Sequence, residues 1–288
     1  MNIQQGLTIN KKKFISLQIG LIAALFLVLY YPIILSMVMD WKINDNYSHG
    51  YLIPAIAGYM IWSIRKEFED LKIGPNNWGI IVIFVGLFQL IISRIGSEFF
   101  LQRLSMIVVL FGIFLFMAGK PITKKFSFPI LYLIFMIPIP AILWNKIAFP
   151  LKLFASFLAT NIINSLGITI LRRGNIIYLA NMTLEVVDAC SGLRSLTSLL
   201  ALSAAFAFFT KHSKFKKWLL FLSAVPIAIL TNIIRLTLTA GFASKYGEKV
   251  AEGFLHGFSG MMVFFLGLLL LFFFNVFLSK KNSKYFFK

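Results

Sequence analysis

Cysteine occurs once in this sequence, at Cys190, beside three histidines and ten acidic residues. A single cysteine excludes an intramolecular disulfide, a structural zinc site built on cysteines and an iron–sulfur cluster, whatever the redox compartment. The scarcity of charge excludes more. Only 13% of residues are charged against 59% hydrophobic, far from the soluble average, so water is not the main solvent of this chain. Apolar runs of roughly 16 to 26 residues recur along almost the whole length, each close to the ~20 residues a helix needs to cross ~30 Å of hydrocarbon. They leave no room for a large soluble domain, and a single polytopic membrane domain over residues 1–288 is expected, with no appended soluble domain.

The first run, Phe14 to Met39, follows three lysines but is too long for a signal h-region and ends in Met37-Val38-Met39-Asp40 instead of a small-residue cleavage site. It reads as an uncleaved span. Hydropathy places further spans near 51–64, 78–93, 100–118, 126–144, 191–210, 218–241 and 254–278, of which the short second one is the least secure. The expected fold is therefore an all-α integral membrane protein of about eight transmembrane helices. With a cytoplasmic amino terminus, the inner segments hold 17 of the 28 basic residues and the outer segments nine. The positive-inside rule then puts both termini in the cytoplasm. The formal charge of +18 reflects this topology and contact with anionic lipid, and no nucleic-acid partner is expected.

One outer segment, about 145–189, is too long for a simple loop. Apolar residues at helical spacing over 145–167 predict a short helix lying in the membrane interface. Beyond Gly167, β-branched stretches on either side of Arg173-Gly174-Asn175 predict a β-hairpin leading into Asp188-Ala189-Cys190.

Two arginines, Arg194 and Arg235, fall within apolar spans, where a guanidinium costs about +2.5 to +3.5 kcal/mol at mid-helix by insertion scales. Such residues invite a functional reading first. Arg235 lies 17 positions beyond Trp218, ~26 Å up a ~30 Å slab, so snorkelling to the outer headgroups is an alternative. Cys190 stands at the start of span six, where the helix dipole and Arg194, four residues on, both favour thiolate. Asp188 opposes this, or instead caps the helix or holds Arg194. Alone, a single membrane cysteine reads more readily as packing than as a nucleophile. His256, just inside span eight, can exchange protons near neutrality or simply hydrogen-bond a loop. His49 is also on the outer side, whereas His212 sits among inner lysines as a solvated residue. Cys190, Arg194, Arg235 and His256 share one depth though they come from three spans, so nucleophile, base and cationic stabiliser could meet there.

At these residues the chain resembles the exosortase/archaeosortase family of membrane transpeptidases. The resemblance rests on Ala189-Cys190-Ser191-Gly192-Leu193-Arg194, on Asn232-Ile233-Ile234-Arg235 and on His256 followed by Gly260, in the family's order. Tyr47-Ser48-His49-Gly50-Tyr51-Leu52-Ile53-Pro54 and Phe135-Met136-Ile137-Pro138-Ile139-Pro140 support it, so that it covers roughly 40 to 265. The resemblance implies a bacterial cytoplasmic-membrane cysteine transpeptidase acting on the outer face. Its partners would be exported proteins ending in a tripartite signal of the PEP-CTERM type: a short motif, a transmembrane helix and a basic tail. A thioester intermediate would pass them to a cell-surface acceptor, with a membrane lipid or glycolipid as one candidate. Cys190 would attack, Arg235 would stabilise the oxyanion and His256 would handle protons. Arg194, His49, Asp188 and Asn232 would support the site, and the 145–189 segment would roof it. No metal or cofactor is expected. Simple hydrolysis, and a non-enzymatic transporter or polysaccharide-assembly factor with the same arginines along an anionic path, are the competing readings.

Overall fold

The structure is a computed structural model that describes residues 3–68, 74–180, 183–186, 192–247 and 254–280, for the backbone alone at 3–16, 254–258 and 280. Eight α-helices carry most of these residues. In chain order they are α1 (Ile3–Ile43), α2 (Leu52–Ser63), α3 (Trp78–Ile95), α4 (Phe99–Tyr132), α5 (Ala141–Ser165), α6 (Leu193–Phe209), α7 (Lys214–Tyr246) and α8 (Phe254–Lys280). Among the described residues, α1, α3, α4, α5, α7 and α8 contain the six stretches long and apolar enough to cross a membrane. The other two are shorter: α2 has 12 residues and α6 has 17. Short 3₁₀ turns, Asp45–Tyr51 and Arg65–Phe68, extend α2 at both ends.

Large apolar side chains such as Leu17, Val28, Phe84, Phe88 and Ile95 are exposed on the outside of the bundle. The interior is correspondingly rich in small residues. Ala201, Ala204 and Ala205 of α6 are buried in a cluster with residues of α1, α2 and α4, and Ala224 and Ala228 of α7 in one with Leu199 of α6. This is the packing expected where lipid is as apolar as leucine and helices associate by close approach. The antiparallel pair α3–α4 shows the limit of that approach. A Cβ at Gly79 would stand 2.3 Å from the backbone nitrogen of Phe116, so no other residue fits there.

α4 is broken at Gly119, which leaves helical conformation with φ 80° and ψ 174°. The second arm runs on through a 3₁₀ turn, Leu133–Met136. The expected span 126–144 is therefore displaced: helix ends at 136, and Ile137 is extended. Pro138 and Pro140 cause this, because each lacks an amide proton and pushes the residue before it out of the α region. Helix resumes at Ala141 and persists for 25 residues, so the predicted outer helix starts earlier than 145 and is longer than expected. The predicted hairpin gains a strand. β1 (Leu171–Arg173), β2 (Ile176–Tyr178) and β3 (Thr183–Glu185) form an antiparallel sheet in the order β1-β2-β3, pairing Arg173 with Ile176 and Ile176 with Glu185.

The sheet and α5 pack on the last third of α7. Ala155, Ala159 and Ile163 of α5, Ile177 of β2 and Val186 form one buried cluster with Leu236, Ala240 and Ala243 of α7. Ser156 Oγ donates to the Gly174 carbonyl at 3.3 Å, and the Ile170 amide donates to Asn164 Oδ1 at 3.0 Å, fixing the sheet to α5. α7 has 33 residues, about 50 Å at ~1.5 Å per residue, against ~30 Å of hydrocarbon. Its last third carries this cluster.

The opposite end of the bundle gathers lysines. Lys125 pairs with Glu67, Lys216 Nζ donates to the Leu278 carbonyl at 2.7 Å, and His212 meets Asn275 Oδ1 at 3.0 Å. His212 is thus a tie to α8 and not a solvated residue.

Candidate functional site

Gly192 caps the start of α6 in the left-handed region, φ 79°. That conformation suits glycine, and the space demands it as well. A Cβ there would lie 2.9 Å from Cβ and Cγ of Asn232 on α7. Gly192 thus brings the end of the Cys190-Ser191-Gly192 segment against α7, one turn before Arg235. Cys190 and Asp188 themselves lie outside the described residues.

Asn232 and Arg235 are both buried, with exposures of 2% and 8%. The snorkelling alternative fails for Arg235, because its side chain is inside the protein. Gly260 of α8 shows where it points. A methyl group at Gly260 would stand 3.8 Å from Arg235 Nη2, so the guanidinium lies against α8 one turn beyond His256. Of His256 only the backbone is described, as the third residue of α8. α6, α7 and α8 are mutually packed, which settles that the three helices bearing the predicted site are neighbours.

A cavity of about 10 Å³, room for about one water, is bounded by Gly192 and Leu196 of α6, Ala228, Ile229 and Asn232 of α7, and Leu151 and Ala155 of α5. α5 therefore reaches the site layer.

Arg194, in the first turn of α6, pairs with Asp45 at 3.4 Å. Both side chains are half exposed or more, so the pair contributes little to stability, on the order of 0–1 kcal/mol at most. Its value is positional. Asp45 opens the 3₁₀ turn that carries His49, and the pair holds that turn beside α6. Asp45 was not among the residues predicted from sequence.

The turn itself is fastened to the Met136–Pro140 stretch. Trp41 Nε1 donates to the Met136 carbonyl at 2.8 Å, and Tyr47 Oη donates to the Ile139 carbonyl at 3.2 Å. Gly50 is enforced by the Trp41 ring, which would stand 2.4 Å from a Cβ there. Burial pushes the Tyr47 phenol up to about 12, so it remains a donor. Burial also lowers the His49 pKa, reinforced by the nearby Arg194 charge and opposed by the carbonyls of Phe135 and Asn46. Nδ1 of His49 is buried without a hydrogen-bond partner among the described residues. The two stretches 47–54 and 135–140, far apart in sequence, are one structural unit beside the start of α6.

A further ion pair escaped the sequence reading. Arg103, 5% exposed within α4, bonds Asp40 Oδ2 at 2.5 Å and Ser36 Oγ at 3.0 Å. Its signal was a charge inside an apolar run, obscured because it stands at the expected start of a span.

The described groups converge at one end of the bundle: the helix start capped by Gly192, a buried guanidinium on the neighbouring helix, and a third helix that meets that guanidinium at Gly260. No curated protein and no solved structure matches the chain. The family model for transmembrane exosortase matches residues 41–273, which includes every one of these elements, and the chain belongs to that family.

Proposed function

We propose that this membrane protein is a cysteine transpeptidase that cleaves the carboxy-terminal sorting signal of exported proteins at the outer face of the bacterial cytoplasmic membrane. Family membership supports the transpeptidase role. The observation that carries the residue assignment is the buried Arg235 guanidinium, packed against Gly260 on α8 and one turn beyond Asn232, on which Gly192 rests.

In this reading Cys190 gives its proton to His256 and its sulfur attacks the scissile carbonyl carbon. Arg235 stabilises the oxyanion; a guanidinium is a permanent cation with a planar fork of donors and a poor base, which leaves proton transfer to the histidine. The carbon–nitrogen bond breaks as His256 returns the proton to the departing amine, and a thioester remains. An acceptor hydroxyl or amine then loses its proton to His256, attacks the thioester and releases the thiolate. Arg194 and His49 position the helix start and the substrate, Asp188 and Asn232 support them, and α5 with the sheet roofs the site and receives the signal motif.

The test is co-expression with an exported protein ending in a short motif, an apolar helix and an Arg/Lys tail. Mass spectrometry should find a new carboxy terminus joined to an acceptor, and Cys190→Ala should abolish processing. A free carboxylate at that terminus would establish hydrolysis instead, and full processing by Cys190→Ala would end the peptidase assignment.

A further inference from the structure

A cavity of about 480 Å³ without a role in the proposed reaction lies at the lysine-rich end, between the second arm of α4, the end of α6 and the start of α7. Its volume falls within the range of about 300–1,000 Å³ typical of small-molecule sites. The walls are aromatic. Phe128 stacks on Phe208 with centroids 5.3 Å apart, and Phe221 meets Trp218 edge-on at 5.9 Å. A long apolar chain fits such walls.

Three polar groups make it more than a bare apolar face. Lys214 and Lys217 both line it, and among its lining residues none is acidic. Lys217 Nζ is drawn toward the Phe208 carbonyl at 3.4 Å, within the cavity wall. Tyr132, also lining, is only 2% exposed, and its hydroxyl has no hydrogen-bond partner among the described residues. A phenol buried among aromatic rings with its donor unused calls for an acceptor from outside the chain. Tyr132 stands seven residues along α4 from Lys125, about 10 Å deeper than the lysine layer.

We propose that this cavity is a binding site for one anionic phospholipid. The phosphodiester rests on Lys214 and Lys217 at the mouth beside Phe128 and Phe208, an ester carbonyl accepts from Tyr132, and an acyl chain continues inward between Phe135 and Phe221. The order of the groups matches a glycerophospholipid: charge at the mouth, an acceptor just below it, then hydrocarbon. Two lysines with no acidic neighbour discriminate against a basic peptide tail and against zwitterionic headgroups. The site stands apart from Arg235, which is 17 residues, about 26 Å, farther along α7 than Trp218.

The full chain, reconstituted in nanodiscs of equal phosphatidylglycerol and phosphatidylcholine, is released into detergent and weighed by native mass spectrometry. One phosphatidylglycerol should stay bound, and K214Q/K217Q should lower its retention about fivefold per lysine. Phosphatidylglycerol brominated on its acyl chain should quench Trp218, and W218F should remove that quenching. Y132F should weaken retention while the melting temperature is kept. Equal retention of both lipids, undiminished retention by K214Q/K217Q, or displacement of the lipid by an apolar peptide with a basic end would each overturn the proposal. Should K214Q/K217Q fail to fold, the comparison of K214R/K217R with Y132F decides: retention kept in the first and reduced in the second supports the site, and any other pattern refutes it.

Discussion

At Arg235 the chain holds a permanent cation inside a packed helix bundle, where insertion alone costs several kcal/mol. If that cation serves a developing oxyanion, its forked geometry matters as much as its charge. Arg235→Lys should lower processing by about 10²- to 10³-fold, as loss of an oxyanion donor does elsewhere. Full activity of that variant in the co-expression assay would contradict the role. Gly192 is constrained twice, by φ and by Asn232. Gly192→Ala should cost at least the ~1–2 kcal/mol of a left-handed residue, seen as a lower melting temperature in detergent together with lost processing. His49 adds a pH dependence. Its folded-state pKa is lowered from 6.5, so the unfolded chain takes up a proton first as pH falls. The stability it contributes is complete above 6.5 and is lost as pH falls through the folded-state value. His49→Gln should flatten the fall in melting temperature below pH 6.5.

Arg235 was legible in the sequence because an arginine inside an apolar run is conspicuous. The seat of Gly192 on Asn232 was not, since contacts across helices leave no local pattern. Asp45 hid for the same reason, its partner Arg194 being 149 positions away.

Among the elements, hydropathy located the apolar segments well but could not see where helix stops. The run from Phe126 to Trp144 is apolar throughout, yet Pro138 and Pro140 divide it into the end of one arm and the start of α5. The resulting extended backbone is what frees the carbonyls of Met136 and Ile139 to accept from Trp41 and Tyr47. A motif that reads as a broken span is thus the anchor of the His49 turn. Arg103 and Asp40 tie α4 to α1, beside the hydrogen bond between Tyr30 and Ser105. Asp40→Ala strands a nearly buried guanidinium and should destabilise by about 3 kcal/mol, the lower end for breaking a buried pair because Asp40 is itself 43% exposed. Asp45→Ala, which removes the exposed partner of Arg194, should shift the melting temperature far less. Equal effects of the two substitutions would show that Arg103 is not structurally dependent on its partner.

For the molecule as a whole, the ends of the bundle differ in kind. One gathers Glu67, Lys125, His212, Lys214 and Lys216; the other gathers Trp41, His49, Gly192, Arg235 and Gly260. Charge counting along the sequence predicts that the first faces the cytoplasm, and impermeant maleimide provides the check. Cys190 should be labelled in intact spheroplasts, whereas a cysteine introduced at exposed Lys214 in a Cys190→Ala background should react only after lysis. The reverse pattern would invert the topology and with it the site of catalysis.

The last third of α7 has a mechanical consequence. Because α5 and the sheet pack directly on α7, the helix that carries Arg235, their position relative to that residue is set by a covalent rod. A thicker or thinner bilayer can tilt α7, at fractions of a kcal/mol per Å of mismatch, but it tilts α5, the sheet and the guanidinium together. The geometry over Arg235 should thus be shielded from the lipid composition around it.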